Sequence, residues 1–310
     1  MSINLSLIMR KYGILVGFIT VVIALSILSP AFLTVTNLLN ILRQTSIHGI
    51  MAVGMTFVIL TAGIDLSVGS ILALTGVLCA GFEHAEWPLF FIVAATLIIG
   101  GIIGLVNGLI ITKGRVTPFV VTLGMMSVAR GLALIYAGGY PISGFGKIFR
   151  YIGAGYLFKF PLPIIIFLFT IIVAAVVLQN TKLGRYIYAI GGNEETVRLS
   201  GINSDTYKTI AYVFCGFTSA LGAIVLTSRL NAGEPIAGTG YELDVIASVV
   251  IGGTSLMGGR GSVWGTFIGA MLIGTINNGM NLLGISSYFQ LVAKGLIIIG
   301  AVLLDRLREE

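Results

Sequence analysis

Few residues of this chain have the types and spacing that catalysis requires. His48 and His84 lie far apart without metal-ligand spacing, and Cys79 and Cys215 both sit inside apolar runs. Cysteines in such runs are typical of small core residues and not of a disulfide or a metal site. An integral membrane enzyme would need a clustered nucleophile, base or metal ligands near an interface. The sequence therefore predicts no catalytic residues, no metal site and no cofactor.

Amide side chains inside apolar segments are the candidates for a transport path. These candidates, with one nearby aromatic residue, are Asn107, Asn277, Asn278, Asn281 and Phe289. A sugar needs amide donors and acceptors for its hydroxyl groups and aromatic faces for its C–H surfaces. Hydrogen bonding between helices explains buried asparagines equally well. Likewise, the 42 glycines indicate close helix packing or a path lined by backbone, and both interpretations stay open.

Charged residues are rare in the apolar segments. Asp65 and Asp244 each begin such a segment, where a carboxylate acts as a helix N-cap or has a mechanistic role. Arg130 either snorkels or pairs with an acidic neighbour, and Lys294 is expected to snorkel. The lack of a chain of carboxylates argues against an ion-coupled secondary transporter or a channel.

A polar segment, residues 181–208, has the features of a short surface helix. Asn193 is a good N-cap, and Glu194 and Glu195 suit the positive start of a helix. Arg198 is spaced i,i+4 from Glu194, and Gly201 is placed to end the helix. We expect a helix over residues 193–200 on a membrane surface, with Val197 and Leu199 available for docking. The alternative is an ordinary solvated loop helix.

The composition requires a membrane. Of 310 residues, 56% are hydrophobic and only 10% charged, and the mean hydropathy is +1.04. Because a soluble domain carries about 25% charged residues, a soluble fold is excluded. Apolar runs long enough to span a bilayer predict an all-α, polytopic bundle of about ten helices in one domain, residues 1–310. The predicted spans are 13–32, 45–63, 66–82, 88–111, 117–137, 161–179, 207–228, 244–258, 263–283 and 288–304.

The charge pattern predicts orientation. Most loop Lys and Arg residues fall on one side if the N-terminus is cytoplasmic, which places both termini in the cytoplasm. The net charge of +6 reports this orientation and predicts no nucleic-acid partner. Similar motifs recur in the two halves, for example before Asn107 and Asn277. They suggest two five-helix repeats, residues 1–155 and 156–310, of inverted topology.

Several segments resemble the branched sugar permease family of binding-protein-dependent ABC importers, in particular its ribose permeases. The similar segments are Met51–Ser70, Leu183–Asn193, Gly238–Asp244, Gly252–Gly259 and Asn277–Tyr288. In addition, Glu195 followed six residues later by Gly201 resembles the cytoplasmic "EAA" loop of such permeases, although Thr196 and Val197 replace alanine.

The resemblance implies a homodimer in the bacterial inner membrane, surrounded by lipid, with a cytoplasmic ATPase subunit and an extracytoplasmic sugar-binding protein. Since the chain has no Walker A motif, ATP hydrolysis is expected from the partner ATPase, which docks on helix 193–200. The binding protein is expected to dock on outer charges, or these charges belong to an ordinary wet loop. The charged residues are Lys147, Arg150, Arg229 and Glu234. Ribose is the expected substrate, and another sugar or an autoinducer is the alternative within the family.

Overall fold

The computed structural model describes residues 5–307, which form a bundle of α-helices. Ten helices correspond one by one to the ten predicted spans. They are α1 Leu5–Leu28, α2 Val35–Leu60, α3 Val68–His84, α4 Leu89–Lys113, α5 Pro118–Ala137, α7 Leu162–Asn180, α10 Ser204–Leu230, α11 Tyr241–Ile251, α12 Val263–Leu282 and α13 Ser287–Leu307. Three further helices are α6 Lys147–Ala154, α8 Lys182–Gly192 and α9 Glu194–Leu199. The predicted all-α polytopic fold is therefore confirmed.

Three span boundaries differ from the prediction by seven or more residues: the starts of α1 and α2 and the end of α11. Helix α2 begins ten residues earlier, because the Thr34 side chain caps it by accepting from the Asn37 backbone N–H at 3.4 Å. Its polar residues, among them Arg43 and His48, lie inside the helix. Helix α11 ends at Ile251, before the glycine-rich turn that the prediction included.

By length and apolarity alone, four described helices qualify as membrane spans: α4, α5, α7 and α10.

The bundle has two ends. The α9 end carries α8, α9 and the 252–262 loop, whose Gly259 N–H donates to the Leu60 carbonyl at 3.0 Å. The α6 end carries α6 and two antiparallel strand pairs, β1 with β4 and β2 with β3. These strands are β1 Ile142–Ser143, β2 Tyr156–Leu157, β3 Phe160–Pro161 and β4 Ala232–Gly233. Helix α1 ends at the α6 end, where Leu25 packs near Leu282, and α13 runs back. Both described termini thus lie at the α9 end.

Helices α3 and α11 start at one point and run in opposite directions. The Gly238 carbonyl lies so close to Gly69 that a Cβ atom on either glycine would overlap the other's backbone. From there, α3 runs to the α6 end, where Glu83 accepts from the Gly146 N–H at 2.8 Å. The 11 residues of α11 cover only about 17 Å at 1.5 Å per residue. Together, the two discontinuous helices cover about one membrane thickness.

Glycines set the packing of α4 on α10. Gly100, Gly104 and Gly108 follow one face of α4 at four-residue spacing, and each lies against the α10 backbone. Such small residues allow two helix backbones to approach closely where lipid offers no hydrophobic driving force. Gly216 on α10 completes the contact opposite Gly100. The α4–α10 pair is therefore a tight unit that links the two halves of the chain.

Candidate functional site

Helix α9 forms where the sequence predicts it, because its caps are local. The Asn193 side chain accepts from the Thr196 N–H at 2.9 Å, and Glu194 pairs with Arg198 at 3.0 Å. Gly201 follows the C-cap with a φ of 81°, in the left-handed region that favours glycine. The result is a short helix, with its capping groups satisfied, at the α9 end of the bundle.

A network of charges fastens α9 to the start of α10. Arg198 donates to Asp205 at 2.8 Å and to the Ser204 hydroxyl at 2.7 Å. Glu194 accepts from Lys208 and from Ser204. Lys113, the last residue of α4, reaches Asp205 at 3.3 Å. The network thus joins α9, α10 and α4, and α4 and α10 are already held together by their glycine contact.

The protonation of Glu194 reflects this network. Partial burial on its own would raise the pKa of the Glu194 carboxyl, but the hydrogen bond and charge of Lys208, with Ser204 and Arg198, lower the pKa below its ordinary value of 4.5. Glu194 is therefore ionised at neutral pH. Since the side chain is partly exposed, the network orients α9 more than it stabilises the protein.

The free surface of α9 differs from the prediction at one residue. Leu199 is 83% exposed, and Glu195 beside it is also exposed, so both are accessible to a partner. Val197 is only 6% exposed, because it faces the protein. The expectation that Val197 is available for docking is therefore wrong, and Val197 instead anchors the helix.

The candidate path asparagines do not come together. Asn107 is on α4, fully buried, and donates to the Ser67 hydroxyl at 3.0 Å. Asn278 on α12 exchanges two hydrogen bonds with Asn37, at 2.9 and 3.0 Å. Asn281 is exposed and accepts from Gln290 at 2.8 Å. For Asn278, the hydrogen bonds between helices account for the amide completely.

Two remaining path candidates lie at the α6 half of the bundle. Asn277, one residue before Asn278, approaches Asp244 at 3.5 Å. Its Oδ1 is buried without a protein partner. Phe289 is 70% exposed near the start of α13. Adjacent asparagines on one helix therefore face different surroundings.

The two acidic residues stand at the starts of the discontinuous helices. The N-cap of α3 is Ser67 and not the expected Asp65. Asp65 accepts from the Ser67 N–H at 2.9 Å and from its hydroxyl at 2.5 Å, which closes the turn before α3. Asp244 does not cap α11, whose N-cap is Gly240. Instead, Asp244 accepts from Lys294 of α13 at 2.8 Å, and its side chain is 3% exposed. The capping interpretation of Asp244 and the expected snorkelling of Lys294 are both wrong, because each charge neutralises the other in an apolar setting.

Arg130, in the middle of α5, binds a loop. Its guanidinium donates to the carbonyl oxygens of Pro235 and Ala237 at 2.8 and 2.7 Å. Irregular backbone at membrane depth is tolerated only where its polar groups find partners. Arg130 supplies those partners for the loop that leads into α11, so snorkelling does not describe it. The expected acidic neighbour is Glu242, whose charge acts on the guanidinium.

The charged residues expected at a binding-protein surface are spread over the α6 end. Lys147 and Arg150 on α6 are exposed. Arg229 is half-buried at the end of α10, near Tyr241 and Arg43. Glu234 is half-buried in the loop that follows. Of the four, only the α6 pair forms an open basic surface.

Sequence reasoning missed several residues of these sites. Lys113, Asp205 and Lys208 complete the α9 network, but they belong to the ends of apolar helices and carry no local signal. His48 packs edge-on against the Tyr241 ring with centroids 4.1 Å apart. No group of three or more metal-ligating side chains occurs among the residues that the structure describes.

The known proteins that resemble this chain are membrane permeases of transport systems. Residues 37–302 match the family described as "Branched-chain amino acid transport system / permease component". The ribose import permease protein RbsC of Haemophilus influenzae is 50% identical over 294 residues, which are 94% of this chain and 91% of that protein. RbsC of Bacillus subtilis is 50% identical over 301 residues, 96% and 94% of the two chains. The D-allose transport system permease protein AlsC of Escherichia coli is 38% identical over 306 residues, 98% and 94%. No solved structure matches the chain.

Proposed function

Because the chain belongs to the family of permease components of branched-chain amino acid transport systems, we propose that it is the membrane subunit of an ABC importer for ribose or a related monosaccharide. The observation that carries the proposal is the identity of about half of all residues to ribose import permeases over nearly the full length of both chains. The D-allose permease, at 38% identity, supports the wider class of monosaccharides. The subunit makes no covalent bond, and a partner ATPase supplies the energy.

In this proposal the ATPase docks on α9. The exposed Leu199 and Glu195 form the contact, and Asn193, Glu194, Arg198 and Gly201 hold the helix in shape for it. ATP binding moves α9, and the charge network passes this movement to α10 and α4. The α9 end is then cytoplasmic, in agreement with the positive-inside rule, and both termini are cytoplasmic. An ordinary solvated helix would not need a six-residue network of this kind.

The opposite end receives the sugar. We propose that a sugar-loaded binding protein docks at the α6 end, where Lys147 and Arg150 steer acidic groups of the partner, with Arg229 and Glu234 at the edge of the contact. Two copies of the subunit form the importer in the bacterial inner membrane. The similar starts of α3 and α11, each with an aspartate beside an asparagine of another helix (Asp65 with Asn107, Asp244 with Asn277), support two inverted repeats, residues 1–155 and 156–310.

The test is binding-protein-dependent ATP hydrolysis. The permease is purified with its candidate ATPase, reconstituted in liposomes, and assayed with binding protein loaded with ribose, allose or leucine. We expect ribose-loaded protein to stimulate hydrolysis. Glu195→Lys and Gly201→Asp are expected to weaken ATPase binding, whereas Glu86→Lys, the same change on an exposed residue of the α6 end, leaves it intact. If no ATPase binds, or if the α9 variants behave like Glu86→Lys, the coupling proposal is wrong.

A further inference from the structure

Polar side chains of four helices converge near the start of α11. Thr45 and His48 come from α2, Tyr241 and Asp244 from α11, Asn277 from α12 and Lys294 from α13. We call these six residues the α11 cluster. Lys294 and Asn277 both reach Asp244, at 2.8 and 3.5 Å, and His48 packs on Tyr241. The cluster therefore joins chain segments that are far apart in sequence.

Three members of the α11 cluster have a buried polar atom without a protein partner. These atoms are Thr45 Oγ1, His48 Nδ1 and Asn277 Oδ1. A buried polar group costs free energy unless something satisfies it, and here three such groups lie on adjacent turns of α2 and α12, with Thr45 Oγ1 against Gly274, three residues before Asn277. Thr45 is fully buried, whereas His48 and Asn277 are half-buried. The side chain of Lys294 is 19% exposed, so the cluster has an accessible face.

The corresponding acid and amide at α3 contrast with this arrangement. Asp65 and Asn107 are both 0% exposed and are joined through Ser67. No lysine pairs with Asp65 among the described residues. The two discontinuous helices thus begin with similar residue types, but at the α11 start Lys294 is partly exposed and His48 and Asn277 are half-buried. Of the two sites, the α11 cluster is therefore the less enclosed one.

The chemistry of the free groups selects the ligand. Asp244 and Lys294 neutralise each other, and the one further charge among the described residues that acts on His48 and Tyr241 is that of the half-buried Arg229. A hydroxyl, an imidazole nitrogen and an amide oxygen remain, and each can bond to a hydroxyl group that both donates and accepts. Tyr241 adds an aromatic ring beside them, which suits the C–H face of a sugar. An amino acid would instead have to separate the ion pair to bind its own two charges.

We propose that the α11 cluster is a binding subsite for the hydroxyl groups of a monosaccharide during its passage through the permease. The inference rests on the proposed function and names the residues that hold the sugar. Asn277 and Thr45 bind hydroxyl groups directly, and the Asp244–Lys294 pair keeps the site neutral and ordered. The sugar binds weakly, because each contact is a single neutral hydrogen bond.

The adjacent asparagines give a matched pair of variants. Asn277→Ala removes a group of the subsite, whereas Asn278→Ala removes a hydrogen-bonded pair between α12 and α2. The complete complex is reconstituted in proteoliposomes, and the ribose imported per ATP hydrolysed is measured together with the melting temperature. We expect Asn277→Ala to lower this ratio by about three- to tenfold, the value of one hydrogen bond. We expect Asn278→Ala to lower the melting temperature and keep the ratio.

A second variant separates loss of sugar binding from misfolding. Thr45→Val removes one hydroxyl group and keeps the shape of the side chain, and we expect it to lower the ratio by about threefold. If wild-type complex imports ribose while Asn277→Ala and Thr45→Val keep the wild-type ratio, the subsite is wrong and the proposed function stands. If wild-type complex imports leucine and no sugar, both are wrong.

Discussion

The tight contact between α4 and α10 predicts opposite effects for alanine at two nearby glycines. A Cβ atom on Gly104 would lie 2.8 Å from the carbonyl carbon of Tyr212 and 3.0 Å from the Cα atom of Val213, and closer still to the Tyr212 oxygen. On Gly101, the nearest atom outside the local backbone is a Val213 methyl group at 3.8 Å. Because backbone atoms cannot rotate away, Gly104→Ala must push the two helices apart, and Gly101→Ala need not.

The magnitude follows from these distances. Ordinary van der Waals contact begins at 3.4 Å, so the helices must separate by on the order of 1 Å in Gly104→Ala. Overpacking of this kind costs about 1–3 kcal/mol. Helix propensity favours alanine by about 1 kcal/mol at both positions, and in Gly101→Ala it is the one change expected. With roughly 2–4 °C per kcal/mol, the factor for domains of 150–250 residues, we expect Gly104→Ala to melt about 2–12 °C below Gly101→Ala, and Gly101→Ala to melt no lower than wild type.

The protein carries its own reporter for the measurement. Cys79 and Cys215 are free and buried, so a thiol-reactive fluorophore added to the protein in detergent becomes fluorescent only when the bundle unfolds. The two glycine variants are heated in parallel with wild type. Equal melting temperatures for Gly104→Ala and Gly101→Ala would refute the close contact of α4 with α10, and with it the rigid link from α9 to α4.

Three further predictions concern single residues. Asn193→Ala removes the cap of α9 at a cost of about 1 kcal/mol, and we expect roughly fivefold weaker ATPase binding in a titration of the purified subunits, while Asn193→Asp keeps the affinity. Because the pKa of Glu194 is lowered, its contribution to the stability of α9 is complete above pH 4.5 and is lost as pH falls through that lowered pKa. Hydrogen exchange of α9, corrected for intrinsic rates, should therefore accelerate only below pH 4.5. Glu194→Gln should remove this pH dependence. Arg130→Met leaves two loop carbonyls unpaired, at about 1.5–3 kcal/mol for each charged hydrogen bond, so we expect a lower melting temperature, which Arg130→Lys partly restores; an unchanged melting temperature would show that the loop does not depend on Arg130.

Local features of the sequence predicted α9 well. Asn193, Glu194 and Arg198 interact within one or two turns of each other, so their spacing alone indicates the cap and the ion pair. The apolar runs likewise predicted the helices, because each membrane span is one continuous segment of the sequence. The start of α2 was missed because its polar residues lower the local hydropathy, although they point into the bundle.

Contacts between distant segments could not be predicted. The pairing of Lys294 with Asp244 joins α13 to α11, and Arg130 binds a loop more than a hundred residues away. From sequence, each was a single charge in an apolar run, for which snorkelling is the simplest expectation. The different surroundings of Asn277 and Asn278 are likewise visible only after α2, α11 and α12 have packed together.

ATP-driven accumulation of labelled ribose in proteoliposomes tests the central claim most directly. The liposomes contain the permease and its ATPase, with ATP supplied on the side of the α9 end and ribose-loaded binding protein on the other. We predict ribose uptake against its gradient that requires ATP, the ATPase and the binding protein together. Uptake driven by an ion gradient without the ATPase, or uptake of leucine in place of ribose, would contradict the assignment of this chain as the permease of a monosaccharide ABC importer.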